Sequence, residues 1–169
     1  MAIHPAVRHG AMLVGFLVTA AGPAASAPAP RVTVNFVAPE RYTDAGDRVG
    51  AGPGLRVTLA EVRRIIEGAA LRAMAPGDDL RVDVLDIDLA GFAHPGLSPV
   101  SSPRVVTDVT PPAFRLHYDL RRGGRRIAGG DERVSDINFL FGARANRSGA
   151  FAYEEDLLRD WFRKRLTPQ

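Results

Sequence analysis

Apolar and polar positions repeat along this chain with two periods, and the period in each stretch predicts its form. In "RVTVNFV", Val32, Val34 and Phe36 fall on one side and Thr33 and Asn35 on the other, which predicts a half-buried strand. The period then lengthens. Leu59, Val62, Ile66, Ala69 and Ala73 recur at helical spacing, with Arg63, Arg64, Glu67 and Arg72 mostly off that stripe. Thr58 and Glu61 have the T-x-x-E spacing of a capping box and predict the helix start, and "PGDD" at 76–79 predicts its end. "AFRLHYDL" alternates again, placing Phe114, Leu116, Tyr118 and Leu120 inward and Arg115, His117 and Asp119 outward. "YEEDLLRDWFRKRL" returns to helical spacing through Tyr153, Leu157, Trp161 and Phe162, with Trp161 read as a core anchor. Its acidic start and basic end suit the helix dipole.

One stretch breaks its own period. In "LRVDVLDIDLAGF", Leu80, Val82 and Val84 share one parity, but Leu85, Ile87 and Leu89 share the other. A strand with a side-chain period of two cannot put both sets on one face, so a β-bulge near Val84 and Leu85 is expected. Arg81, Asp83, Asp86 and Asp88 then share the opposite, polar face. Gly123-Gly124 between Arg pairs predicts a two-residue type I′ hairpin turn, which would set Leu120 opposite Ile127 and Arg115 opposite Glu132. Gly129-Gly130 in the returning strand predicts a bulge or a close backbone approach. Between these elements, residues 92–112 carry five prolines, and "RVVTDV" within them reads as a short edge segment. Strand, helix, strand, hairpin, helix is the resulting order. It predicts an α+β fold: roughly four strands, mainly antiparallel, with two amphipathic helices packed on one face.

The N-terminus changes the picture of where this fold works. A weakly basic start, the apolar run "AMLVGFLVTAA" at 11–21 and the small-residue stretch "GPAASA" form the pattern of a secretory signal. The run is short for a bilayer core of about 30 Å. Cleavage is expected near Ser26 or Ala27, giving a signal peptide over 1–27, one domain over 28–169 and a mature chain without a transmembrane span. The Arg-rich, Lys-poor composition fits a bacterial source, so the expected destination is the periplasm or the outside of the cell. Cleavage removes Arg8 and leaves 21 basic residues against 19 acidic ones. That balance does not mark a nucleic-acid surface.

The inventory of reactive groups narrows the chemistry. The chain has no cysteine, which excludes disulfides, thiolate metal ligands and a cysteine nucleophile. Past the signal it holds two histidines, His94 and His117, with no H-E-x-x-H, no calcium loop and no G-x-S-x-G. "GAGPG" at 50–54 lacks the Lys-Ser/Thr of a phosphate loop and reads as a connector. Asp86 and Asp88 could converge on a cation, yet hard-metal sites usually need three or more protein oxygens or several waters. If their strand neighbours "AFRLHYDL", they would face Arg115 and His117 as cross-strand ion pairs. The arginines at the hairpin tip, Arg122 and Arg125 among them, could recognise carboxylate or phosphate through the guanidinium fork.

Four blocks, "VTVNFVAPERYTDAG", "LRVDVLDIDLAG", "GGDERVSDINF" and "YEEDLLRDWFRKRL", resemble successive parts of the domain of unknown function 3016 family, whose members are exported, mainly proteobacterial proteins. The resemblance implies export and an α+β domain over nearly all of the mature chain, and it supplies no activity or cofactor. The Pro/Ser-rich stretch at 94–103 and "PPAF" depart from that pattern. The sequence therefore predicts a non-enzymatic binding or envelope-associated domain, without catalytic residue, metal or cofactor. Its partner would be a periplasmic protein or an anionic envelope component. Asp86, Asp88, Arg115, His117, Arg122 and Arg125 are the candidate contact residues. The alternative is a small metal-dependent enzyme or hydrolase built on Asp86, Asp88 and His117.

Overall fold

The computed structural model describes residues 27–45, 53–93, 104–141 and 149–166. Most of the expected signal peptide, most of the "GAGPG" connector at 50–54, His94 and the rest of the 94–103 stretch lie outside the described residues. Four long strands form one sheet in the order β1 (Arg31–Phe36), β2 (Asp78–Asp88), β5 (Ala113–Arg122) and β6 (Arg125–Ser135). β2, β5 and β6 run antiparallel in turn. β1 is parallel to β2, as it must be when helix α1 (Pro53–Ala73) carries the chain from one end of the sheet back to the other. Helix α2 (Ala152–Leu166) packs beside α1. Buried residues of both helices, among them Leu55, Val62, Ile66, Leu158 and Phe162, join Val34, Leu80, Val82, Val84, Ile87, Phe114, Leu116 and Leu120 in one core. Both helices therefore cover the same sheet face, and the chain is an α+β fold with a mostly antiparallel sheet.

Two bulges set the registers, one on each side of β5. On β2, Val84 pairs with Leu116 and Asp86 with Arg115, so Leu85 is the extra residue. The parity conflict in the sequence is resolved there, and Ile87 and Leu89 rejoin Val82 and Val84 in the core. The segment after β1 stitches this bulge. Val37 N–H and the Tyr42 hydroxyl both donate to the Val84 carbonyl, at 2.9 and 2.6 Å, and Asp44 N–H donates to the Ile87 carbonyl at 2.9 Å. Burial pushes the Tyr42 hydroxyl up to about 12, which keeps it a donor.

The second bulge corrects the expected hairpin register. Gly123 and Gly124 both take positive φ, 56° and 81°, and make the two-residue turn. Beyond Arg121↔Arg126, however, Leu120 pairs with Ala128, Leu116 with Glu132 and Arg115 with Arg133. Ile127 is the inserted residue and is 42% exposed. The unbulged register would have set Arg133 against Phe114 and Asp131 against Leu116 on the helix-covered face. The insertion puts Val134 opposite Phe114 and turns both charges out to solvent. Gly129 lies where a Cβ would meet the Tyr118 carbonyl oxygen at 2.5 Å, so this glycine serves a close approach while the bulge sits two residues earlier.

Three other expectations change. α1 begins at Pro53, five residues before the expected cap, because proline is tolerated in the first turn. Thr58 lies within the helix, its hydroxyl donating to the Gly54 carbonyl at 3.0 Å, and Glu61 pairs with Arg64. "RVVTDV" supplies β4 (Arg104–Val105), which pairs with β3 (Phe92–Ala93) in a separate small ribbon and not at an edge of the main sheet. The buried stripe of α2 runs through Glu154, Leu158, Trp161, Phe162 and Leu166, while Tyr153 and Leu157 sit at its margin.

Candidate functional site

With both helices on one face, the other face of the sheet is open among the described residues. Its side chains come from all four strands in register rows. One row runs Asn35, Asp83, His117, Asp131 across β1, β2, β5 and β6. Asn35 Nδ2 donates to Asp83 at 2.7 Å, and His117 Nδ1 lies 2.6 Å from the Asp131 carboxylate. A neighbouring row brings Arg81 opposite Asp119. Arg81 also reaches Asp83 at 3.1 Å, and Arg121 reaches Asp119 at 3.3 Å. The third row, past the β2 bulge, is Asp86, Arg115, Arg133.

The candidate contact residues meet different fates. Asp86 is a structural clip: its carboxylate accepts from the Thr43 amide at 2.7 Å, the Thr43 hydroxyl at 2.8 Å and the Ile87 amide at 2.9 Å. It holds the segment after β1 across the bulge, although Arg115 is its cross-strand neighbour. His117 pairs with Asp131 and lies in register with Asp83, away from Asp88, whose neighbour on β5 is Ala113. The Asp86, Asp88 and His117 trio is therefore not one cluster. Among the described residues, no group of three or more histidine and carboxylate side chains is gathered to hold a metal ion. Burial, with Asp44 and Asp86 nearby, raises the Asp88 carboxyl above its usual value against the opposing pull of Arg104 and Arg133.

Arg122 is engaged inside the fold. Its guanidinium grips Asp78 with two hydrogen bonds, at 2.6 and 3.0 Å, and Asp78 also accepts the Ala75 amide at 2.9 Å. Arg125 is exposed at the hairpin tip and Arg115 is exposed on the open face; neither has an ion pair or side-chain hydrogen bond among the described residues. Arg133, which stands beside Arg115, was not a sequence candidate. Its position follows from the Ile127 insertion, and the one sequence clue was that Ile127 and Val134 have opposite parity and cannot both face the core.

A second polar cluster lies at the far end of β2 and was also missed. Arg104 donates to the carbonyls of Ala90 at 2.7 Å, Gly91 at 2.6 Å and Leu89 at 3.3 Å, and pairs with Asp44. Glu154, 2% exposed in the first turn of α2, accepts the Ala90 amide at 2.7 Å through Oε1, while its Oε2 has no hydrogen-bond partner among the described residues. Its position in an acidic helix start made it look like a surface dipole residue.

Asp78 and Glu154 push the pH dependence of stability in opposite directions. The Arg122 hydrogen bonds hold the Asp78 carboxyl below its ordinary 3.8, outweighing burial. Its stabilising contribution is present above pH 3.8 and is lost as pH falls through the lowered folded value. Burial raises Glu154 above its ordinary 4.5, against the Ala90 hydrogen bond. Its charged form is the unfavourable one, so stability is gained as pH falls from above the raised folded value towards 4.5. Each unit of elevation is worth about 1.4 kcal/mol. Glu154→Gln is expected to abolish that gain and leave the acid-side loss from Asp78. Urea denaturation from pH 7 to pH 3 checks this, and an unchanged slope above pH 4.5 would mean Glu154 does not titrate with folding.

The geometry defines a class: an α+β domain with a helix-backed mixed sheet and one ion-paired face that no described element covers. The chain belongs to the DUF3016 family, whose model, described as a protein of unknown function, matches residues 30–164. No curated protein matches the chain. Among solved structures, the PelC dodecamer from Paraburkholderia phytofirmans is similar at a TM-score of 0.37 and 10% identity, over 85% of this chain and 90% of that one. A likeness that loose carries no argument about what this chain does.

Proposed function

We propose that this chain is an exported, periplasmic recognition domain that docks a partner protein or an anionic envelope component on the open face of its sheet and runs no reaction there. One observation carries the reading: two helices cover one face, and the other presents charged side chains from four hydrogen-bonded strands. A face held by backbone ladders and cross-strand ion pairs is pre-organised, so little side-chain ordering remains to oppose binding. The signal-like N-terminus supports export. Arg115 on that face and Arg125 at the adjoining hairpin tip are the contact residues this reading favours, because no described group already engages them. Arg122, bound to Asp78, acts as a strut for the hairpin.

Osmotic-shock fractionation of cells making the full chain tests export. The expected result is a shortened chain in the shock fluid with a new N-terminus near Ser26 or Ala27. Sedimentation of that chain with isolated envelope fragments tests docking, and Arg115→Glu with Arg125→Glu is expected to weaken retention without lowering the melting temperature. Recovery of the uncleaved chain in the cytosol, or retention indifferent to both reversals, would sink the proposal.

A further inference from the structure

Arg115 and Arg133 stand directly opposite each other on β5 and β6. Residues so paired project from the same face, and both side chains are exposed on the open one. Like charges in this arrangement repel, yet neither arginine has an ion pair or side-chain hydrogen bond among the described residues. Of the nearby carboxylates, Asp86 is held by Thr43 and the Ile87 amide and Asp131 by His117, while Asp88 attracts Arg133 from beyond ion-pair distance. By contrast, Arg31, Arg81 and Arg121 on the same face are bridged to Asp79, Asp83 and Asp119. Beside the two arginines is an open depression of about 240 Å³, lined by Leu85, Arg115, Leu116, Asp131, Glu132 and Arg133. The bulged residue of β2 thus forms part of its lining.

We propose that Arg115 and Arg133 form a clamp for a single phosphate group. The oxygens of a phosphate lie at the corners of a tetrahedron and offer the two forks different edges, whereas both forks would have to share the single oxygen edge of a carboxylate. Asp131 in the lining and Asp88 within electrostatic reach of Arg133 keep the surrounding field from being broadly positive. Recognition therefore depends on the forks and not on bulk charge. The phosphate belongs either to a small soluble molecule or to a phospholipid headgroup. This inference rests on the reading of the open face as a recognition surface, though not on export.

The test titrates the purified chain with inorganic phosphate at constant ionic strength, following the arginine Nε–H resonances. In parallel, it sediments the chain with phosphatidylcholine vesicles that contain or lack phosphatidic acid. Saturable shifts at Arg115 and Arg133 are expected. Arg115→Gln/Arg133→Gln is expected to bind about tenfold or more weakly, as loss of charge-assisted hydrogen bonds implies, and Arg121→Gln to bind like the parent. Arg115→Lys/Arg133→Lys keeps both charges and loses the forks, so it too is expected to bind more weakly. Binding to phosphatidic-acid vesicles assigns the headgroup source; binding to inorganic phosphate alone assigns a soluble ligand. Either supports the clamp. No saturation by either probe overturns it, as does a loss in Arg121→Gln equal to that in the double glutamine variant. Cytosolic recovery in the fractionation would remove the export reading and leave the phosphate result standing, so the two failures are distinguishable.

Discussion

Phe162→Ala is expected to lower the unfolding free energy by about 3–5 kcal/mol, the usual range for emptying a buried aromatic site. Phe162 is fully buried in α2 and meets Trp161 edge-on at 4.7 Å between ring centroids. Trp161 in turn stands edge-on to Tyr118 at 5.2 Å, and its indole N–H donates to Glu132 at 2.8 Å. Losing the Phe162 ring therefore leaves a cavity between α2 and the core and weakens the aromatic chain that ties α2 to β5 and β6. Urea denaturation followed by far-UV circular dichroism gives the value from the midpoint shift at constant slope. A loss under about 1 kcal/mol would contradict this packing of α2, because a full ring deletion in a tight core does not cost so little.

Arg104→Ala is expected to cost about 2–3 kcal/mol, and more at neutral than at acid pH. The side chain is 22% exposed and binds three consecutive backbone carbonyls, Leu89, Ala90 and Gly91, together with Asp44. Its removal strips donors from the corner between β2 and the β3–β4 ribbon and leaves Asp44 half-buried without its cation. Burial already raises the Asp44 carboxyl above 3.8, with Arg104 opposing that rise. Without Arg104 the carboxyl rises further, so its charged form is penalised most above that value and the penalty fades as acid protonates it. Arg104→Lys is expected to recover part of the loss, since a single ammonium cannot span the same set of acceptors. Denaturation of the three proteins at pH 7 and pH 4 checks both statements; a pH-independent Arg104→Ala penalty would mean that Asp44 is not the group left exposed to the loss.

The candidate face was legible in part. That "AFRLHYDL" puts Arg115 and His117 outward is a matter of parity along one strand, and the structure agrees. The fate of each group was not legible, because it depends on partners far away in sequence. Asp86 is satisfied by Thr43, 43 residues away, and Asp78 is bridged by Arg122, 44 residues away. Nothing in the spacing of either pair marks it. Glu154 shows the opposite failure: local rules for helix ends put it in solvent, and the packing of α2 against the β2–β3 corner buried it.

Periodicity within the chain settled the order of the long strands and helices, that β2 must carry a bulge, and that Gly123-Gly124 turns the hairpin. These features depend on the repeat of a single segment relative to one apolar environment, which the sequence states directly. The tertiary structure decided that β1 lies parallel beside β2, that Ile127 is extruded so Val134 can enter the core, and that Arg133 comes to stand beside Arg115. Each of those outcomes compares burial energies between segments. A one-residue slip exchanges every inward side chain for its outward neighbour, so the choice belongs to the packed whole and not to either strand.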